Sequence, residues 1–175
     1  MAFKKNKDLE LKNGIVYNKV GETQTDGYDR LKDNLLYLNA DGKNKVIQMV
    51  SSISGEGKTT VCANLAVGLG LTEKKVVVVD LDFKSQGLNE VFNISAEKGV
   101  AEYILGQVEY ENLPIKTEYE NVFVITGGSN IYNSSLILVS EKFKALFEKL
   151  RSDYDYVIID SAPAACITEA INAMK

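Results

Sequence analysis

The 175-residue sequence contains no histidine, and this absence excludes several kinds of active site. Neither a Ser–His nor a Cys–His nucleophile pair can form, and a histidine-ligated zinc site is excluded as well. The chain has two cysteines, Cys62 and Cys166, which lie far apart in apolar stretches. We therefore expect reduced core residues, as in a cytoplasmic protein.

Long apolar runs and an excess of positive charge are also missing. No stretch approaches the roughly 18 apolar residues of a membrane-spanning helix, and Met1 to Leu9 is too polar for a signal peptide. The formal net charge of −4 provides no basic field, so we expect no nucleic-acid partner. Hydrophobic residues at 45% and charged residues at 25% are the usual balance of a globular protein.

Apolar residues recur at helical and then at strand-like spacings along the chain, which predicts an α/β fold. The run "VVVVD" at residues 76–80 is typical of a parallel strand buried on both faces. We predict a mostly parallel sheet flanked by helices on both faces. The predicted helices cover residues 25–38, 59–71, 99–106 and 135–151, and the predicted strands cover residues 46–50, 75–80, 121–126 and 154–160.

The first 24 residues are polar and include a turn signal at Asn13-Gly14. We predict a partly mobile lead-in over residues 1–24 and a single domain over residues 25–175.

A phosphate-binding loop is predicted between the first strand and the second helix. Residues 52–59 read "SISGEGKT", which matches the pattern G-x-x-x-x-G-K-[ST] except for Ser52. In such a loop, backbone N–H groups surround the phosphates, the lysine contacts the outer phosphates and the hydroxyl ligates magnesium. The alternative is a glycine turn before an amphipathic helix. The predicted nucleotide contacts are Ser54, Gly55, Glu56, Gly57, Lys58, Thr59 and Thr60.

Three aspartates follow apolar strands, where ligands of parallel sheets usually bind. Asp80 and Asp82 end the stretch "VVVVDLD", and Asp160 ends "YVIID". Carboxylates at buried strand ends need a cation or hydrogen-bond donors, although any one of them could also be a strand-end cap. An apolar strand that ends in aspartate is the usual magnesium-side element of P-loop nucleotidases.

At these residues the sequence resembles the bacterial tyrosine kinases of capsule and exopolysaccharide synthesis, a branch of the MinD- and ParA-like P-loop ATPases. The similar segments are "SSISGEGKTT", "VVVVDLDFK", "KGVAEYILG", "VFVITGGSNIYNSSLIL" and "YDYVIIDSAP", within about residues 25–175. The wider superfamily usually has a further lysine at the start of the loop. Ser51, Ser52 and Ile53 stand there instead, which favours the kinase branch.

The resemblance implies a P-loop protein-tyrosine kinase that uses ATP and Mg²⁺ and regulates polysaccharide synthesis and export. Lys58, Asp80 and Asp82 would be the catalytic residues, and the two aspartates would organise the metal and accept the proton of a tyrosine hydroxyl. The resemblance also makes Thr59, Asp82 and Asp160 the predicted magnesium ligands. It further implies a membrane-anchored activator or co-polymerase as partner, and hence a cytoplasmic position at the inner face of the membrane. The alternatives are a MinD/ParA-like ATPase switch and a nucleotide-binding module without turnover.

Two departures from the family pattern bear on these expectations. Its ring-forming motif E-x-x-R-x-x-R is replaced by "DGYDRLK", with Asp26, Asp29 and Lys32 at the three positions. A solvated helix face is therefore an alternative to a homo-oligomer contact. Family members also continue beyond the point where this sequence stops, so we expect a C-terminally truncated domain without the last strands. Weaker nucleotide binding and lower stability should follow.

Overall fold

A five-stranded sheet lies at the centre of the computed structural model, which describes residues 14–18, 25–42, 45–129 and 134–163. In space the strands follow the order β1-β5-β2-β4-β3. The first four are parallel, and β3 pairs antiparallel with β4. The prediction of a mostly parallel α/β sheet is therefore confirmed. The strands are β1 (Val46–Met49), β2 (Val76–Asp80), β3 (Ile115–Lys116), β4 (Val122–Ile125) and β5 (Tyr156–Asp160).

Helices cover both faces of this sheet, as predicted. Alternate residues of β2 divide between the two faces: Val77 and Val79 pack in one core, and Val76 and Val78 pack in the other. The first core includes α4, α5 and α6, and the second includes α2 and α3, with α1 packed against it. The helices are α1 (Asp26–Leu38), α2 (Lys58–Gly70), α3 (Leu88–Val91), α4 (Val100–Ile104), α5 (Ser134–Leu138) and α6 (Glu141–Asp153).

The predicted long helix over residues 135–151 is wrong in one respect, because the structure divides it into α5 and α6. The break lies at Ser140, whose backbone is extended (φ −73°, ψ 148°). Its hydroxyl accepts a hydrogen bond from the Phe143 N–H at 3.2 Å and donates one to the Ile137 carbonyl at 2.8 Å. Ser140 thus caps the start of α6, a competing local bond that apolar periodicity does not reveal.

Part of the predicted lead-in packs against the domain. Ile15 has no exposed surface, and the Val16 N–H donates to the Asn64 side chain of α2 at 2.8 Å. The Tyr17 hydroxyl donates to Asp29 of α1 at 3.1 Å. Residues 14–18 therefore join α1 to α2, whereas the rest of the lead-in, Cys166 and all residues from 164 onward lie outside the described residues.

Two further predictions concern Cys62 in the core and the substituted ring-motif residues on α1. Cys62 is fully buried, and burial raises the pKa of its thiol, as expected for an unreactive core residue. Asp29 accepts a hydrogen bond from Lys32 at 3.0 Å, so two of the three substituted ring-motif positions pair within the chain. Among the described helices, none has the length and apolar character needed to cross a bilayer.

Candidate active site

The phosphate loop and two of the predicted aspartates, Asp80 and Asp160, lie at the edge of the sheet where the parallel strands end. β5 lies between β1 and β2, with Met49 and Asp80 both in register with Asp160. The phosphate loop begins directly after β1 and leads into α2. The sheet order therefore brings the loop and the two strand-end aspartates to one edge.

The loop has the backbone form of a phosphate cradle. Gly55 and Gly57 have φ angles of +82° and +88°, a region in which other residues are strained, and Gly57 is the N-cap of the 13-residue helix α2. The Glu56 carboxylate accepts hydrogen bonds from the backbone N–H groups of Ser52 (2.9 Å) and Ile53 (3.3 Å). The side chain of Glu56 thus braces the loop, and only its backbone remains for the predicted contact with phosphate.

Lys58 lies at the start of α2 and folds back over the loop. Its ammonium group donates to the Ser51 hydroxyl at 2.7 Å. The helix N-terminus adds a positive potential at the same place. A bound phosphate would compete with Ser51 for the charged group.

Thr59 and Asp160, two of the three predicted magnesium ligands, are in direct contact. The Thr59 hydroxyl donates to Asp160 Oδ2 at 2.5 Å. The other carboxylate oxygen, Oδ1, is buried and has no hydrogen-bond partner among the described residues. Burial raises the pKa of Asp160, partly offset by the Thr59 hydrogen bond and the charge of Lys58. A buried carboxylate oxygen without a donor fits a site that takes a cation.

Asp80 has no exposed surface and lies beside Asp160 in the register of the sheet. Its Oδ1 accepts from the Asp82 N–H at 3.0 Å, and Oδ2 accepts from the Leu88 N–H at 3.5 Å. Burial and, next, the negative charge of Asp160 raise the pKa of Asp80 to about 8. Two carboxylates crowded in this way favour either a bound cation or a proton.

Asp82 is half-buried and faces its own loop, residues 81–87. Its Oδ1 accepts from the backbone N–H groups of Lys84 (3.3 Å) and Ser85 (3.0 Å). The described residues contain no group of three or more acidic or cysteine side chains arranged to hold a metal. Mg²⁺ needs fewer protein ligands than such a group provides, since it often takes one or two carboxylates and completes its shell with water and phosphate oxygens.

Gly87 completes the site, and sequence reasoning missed it. A Cβ at Gly87 would lie 3.1 Å from Thr59 Cγ2 and 3.2 Å from Thr59 Oγ1. The end of the Asp82 loop thus packs directly on the predicted metal ligand. A glycine in front of the short helix α3 was the available signal, although it is also typical of an ordinary turn.

Comparisons with known proteins identify the family of this chain. A model of the AAA domain family matches residues 44–175. The putative tyrosine-protein kinase CapB of Staphylococcus aureus is 27% identical over 155 residues, which cover 89% of this chain and 68% of CapB. The chain spans only part of other curated relatives: 18% of tyrosine-protein kinase ptk of Acinetobacter johnsonii, 63% of CpsD of Streptococcus pneumoniae and 20% of wzc of Salmonella typhi.

Solved structures give the same relationship. The chimerical protein CapA2B2 superimposes with a TM-score of 0.84 at 28% identity, covering 90% of this chain and 70% of that chain. The septum site-determining protein MinD of Pyrococcus horikoshii, complexed with Mg-ADP, gives 0.61 at 26% identity, covering 74% and 54%. The chain therefore belongs to the AAA domain family of P-loop proteins, and its relatives there include the bacterial tyrosine-protein kinases.

Proposed function

We propose that this chain is an ATP-dependent protein-tyrosine kinase. The observation that carries the proposal is the contact of Thr59 with Asp160, directly behind the phosphate loop, where the other Asp160 carboxylate oxygen has no hydrogen-bond partner among the described residues. The similarity to CapB, a putative tyrosine-protein kinase, supports tyrosine as the acceptor. ATP and Mg²⁺ would be the ligands of this edge of the sheet.

The residues of the site have separate roles in this proposal. Thr59 and Asp82 would hold magnesium. Asp160 would also hold it, through water. The ion would neutralise negative charge that develops on the phosphate oxygens. Lys58 would leave Ser51 for the outer phosphates, and the loop N–H groups would hold the remaining phosphate oxygens.

Transfer then requires a tyrosine hydroxyl in line with the terminal phosphate. Its oxygen forms a bond to phosphorus as the bond to the β-phosphate oxygen breaks, and ADP leaves with that oxygen. The proton of the hydroxyl would go to Asp80 or Asp82.

The partner and the cellular position are proposed from the resemblance. A membrane-anchored activator or co-polymerase of polysaccharide synthesis would complete the nucleotide site, and the chain would lie in the cytoplasm against the inner face of the membrane. The similarity to a chimerical protein CapA2B2 agrees with a second component. Self-association through α1 is the weaker alternative, because Asp29 pairs with Lys32 and Tyr17.

A MinD-like ATPase switch is the second candidate. The similarity to MinD complexed with Mg-ADP favours it, and Ser51, Ser52 and Ile53 in place of the additional lysine oppose it. Incubation with magnesium and ATP labelled on its terminal phosphate, with and without a candidate activator, separates the two. Label on tyrosine supports the kinase, free phosphate alone supports the switch, and binding without turnover supports a nucleotide-binding module.

The matched variant is Lys58→Met, which retains much of the length of the side chain and removes its charge. We expect labelling to fall by about a hundredfold or more, because a preorganised charge at the phosphates is lost. Lys84→Met, at an exposed residue of the Asp82 loop, is the control for loss of a lysine near the site. Unchanged labelling of the Lys58 variant would refute the assignment of the loop.

A further inference from the structure

Glu102 is a buried carboxylate that the proposed reaction does not use. It lies in α4 and is only 4% exposed. One carboxylate oxygen accepts from the Gly99 N–H at 2.8 Å, and the other accepts from the Ser129 N–H at 3.0 Å. Burial alone would raise its pKa, but the hydrogen bonds from Ser129 and Gly99 more than offset it, so the pKa lies below the ordinary value. Glu102 is therefore an ionised group held between two segments, the start of its own helix at Gly99 and the residues that follow β4.

One of these segments is the exit of β4, residues 126–129. The first turn of α4 packs on it backbone to backbone: the Val100 N–H donates to the Thr126 carbonyl at 2.9 Å, and the Ala101 N–H donates to the Gly127 carbonyl at 3.0 Å. A Cβ at Gly99 would overlap the backbone of this exit, and a Cβ at Gly128 would overlap Glu102. Only glycine allows the carboxylate to approach so closely.

The exit of β4 in turn contacts the loop that carries Asp82. The Gln86 side-chain amide donates to the Gly128 carbonyl at 2.6 Å. A Cβ at Gly127 would lie 3.2 Å from Gln86 and 3.3 Å from Phe83. Direct contacts thus connect Glu102 to residues 126–129 and these to residues 81–87.

We propose that Glu102 is a positioning residue, which fixes the exit of β4 and, through Gln86, the Asp82 loop. The sheet order determines which half of the site is affected. β4 lies beside β2 on the side away from β5 and β1, so this connection supports the aspartates from the side opposite the phosphate loop. Glu102 therefore affects the transfer of phosphate to its acceptor more than the binding of nucleotide. This role in transfer rests on the proposed kinase function.

The test is Glu102→Gln in the full chain. The amide retains the shape of the carboxylate but turns an NH₂ group toward one of the two backbone N–H groups, so one hydrogen bond is lost. We expect phosphate transfer to tyrosine to slow by about tenfold, because the Asp82 loop is misplaced. The Kd for ADP measured without magnesium, which reports on the phosphate loop, should stay within about twofold of the wild type.

Two further variants make the result specific. Gln86→Ala breaks the connection at its other end and leaves Glu102 intact, so it should reproduce the slower transfer even if the Glu102 variant folds poorly. Glu111→Gln is the control, because Glu111 is exposed and pairs with Lys149 at 2.9 Å on the surface. Its transfer rate should match that of the wild type.

If Glu102 had a purely local role, its substitution would leave amide hydrogen exchange in the Asp82 loop unchanged. Glu102→Gln should exchange faster over residues 81–87, which its side chain does not contact directly. Unchanged exchange there, or a nucleotide Kd that weakens in parallel with transfer, overturns the positioning role. A wild type that transfers no phosphate overturns the proposed function instead, and the exchange result then decides the positioning role alone.

Discussion

Asp80 makes the stability of the metal-free protein depend on pH. Its pKa is about 8 in the folded chain against an ordinary value of 3.8, because it is buried beside Asp160. Between these pH values the folded state retains a proton that the unfolded state has released. The contribution of Asp80 to stability is therefore fully present below about pH 4 and is lost as the pH rises through about 8.

Asp80→Asn should remove this dependence, since an amide does not ionise. In chelator-treated protein, we expect the Tm of the variant relative to the wild type to rise by several degrees between about pH 6 and about pH 9. Thermal unfolding followed by circular dichroism measures the difference. Asp26→Asn, at an exposed aspartate in the first turn of α1, should show no comparable trend. Parallel pH profiles for Asp80→Asn and the wild type would contradict a raised pKa of Asp80 in the folded chain.

Asp80, Asp82 and Asp160 could be predicted as site residues from sequence because each ends or follows an apolar strand. The role of Glu56 could not, because its side chain braces the loop through backbone groups that only the folded loop brings within reach. The same holds for Glu102, whose hydrogen-bond partner Ser129 is 27 residues away along the chain. A glutamate in a short helix gives no local sign of burial.

Among the elements, the break between α5 and α6 depends on one hydroxyl. Ser140→Ala removes the cap from the Phe143 N–H, and we expect a loss of about 1 kcal/mol in the free energy of unfolding. Urea denaturation measures this loss. Ser152→Ala, at an exposed residue near the end of the same helix, should change the free energy by less than about 0.5 kcal/mol. Equal effects at the two serines would mean that Ser140 is not the cap.

The segment at residues 14–18 is the second element whose importance the sequence does not reveal. Ile15→Ala should destabilise the domain by about 2–4 kcal/mol, since the side chain is fully buried against α2 and leaves a cavity. Leu71→Ala is the control, because Leu71 is 67% exposed at the end of α2. Urea midpoints that shift equally for the two variants would place Ile15 outside the core.

Strand and helix positions could be predicted because local periodicity determines them, and each predicted strand end lies within two residues of the observed one. The short strand β3 was missed, since two residues carry no periodic signal. Its pairing with β4 depends on a distant partner instead.

For the whole molecule, the sequence predicts the class of sheet but not the order of its strands. β5, the last strand described, inserts between β1 and β2, and nothing local in "YVIID" specifies these neighbours. That insertion brings Asp160 beside both the phosphate loop and Asp80. The proposed activity therefore depends on a long-range contact that neither the phosphate-loop motif nor "YVIID" contains by itself.

The proposed kinase activity is tested most directly by the phosphoamino acid that the full chain forms. The chain is incubated with magnesium, ATP labelled on its terminal phosphate and a tyrosine-containing copolymer, and the label is assigned after hydrolysis. We expect phosphotyrosine, reduced by about a hundredfold or more in Lys58→Met. Label released only as free phosphate, or phosphotyrosine formed equally by the Lys58 variant, would contradict it.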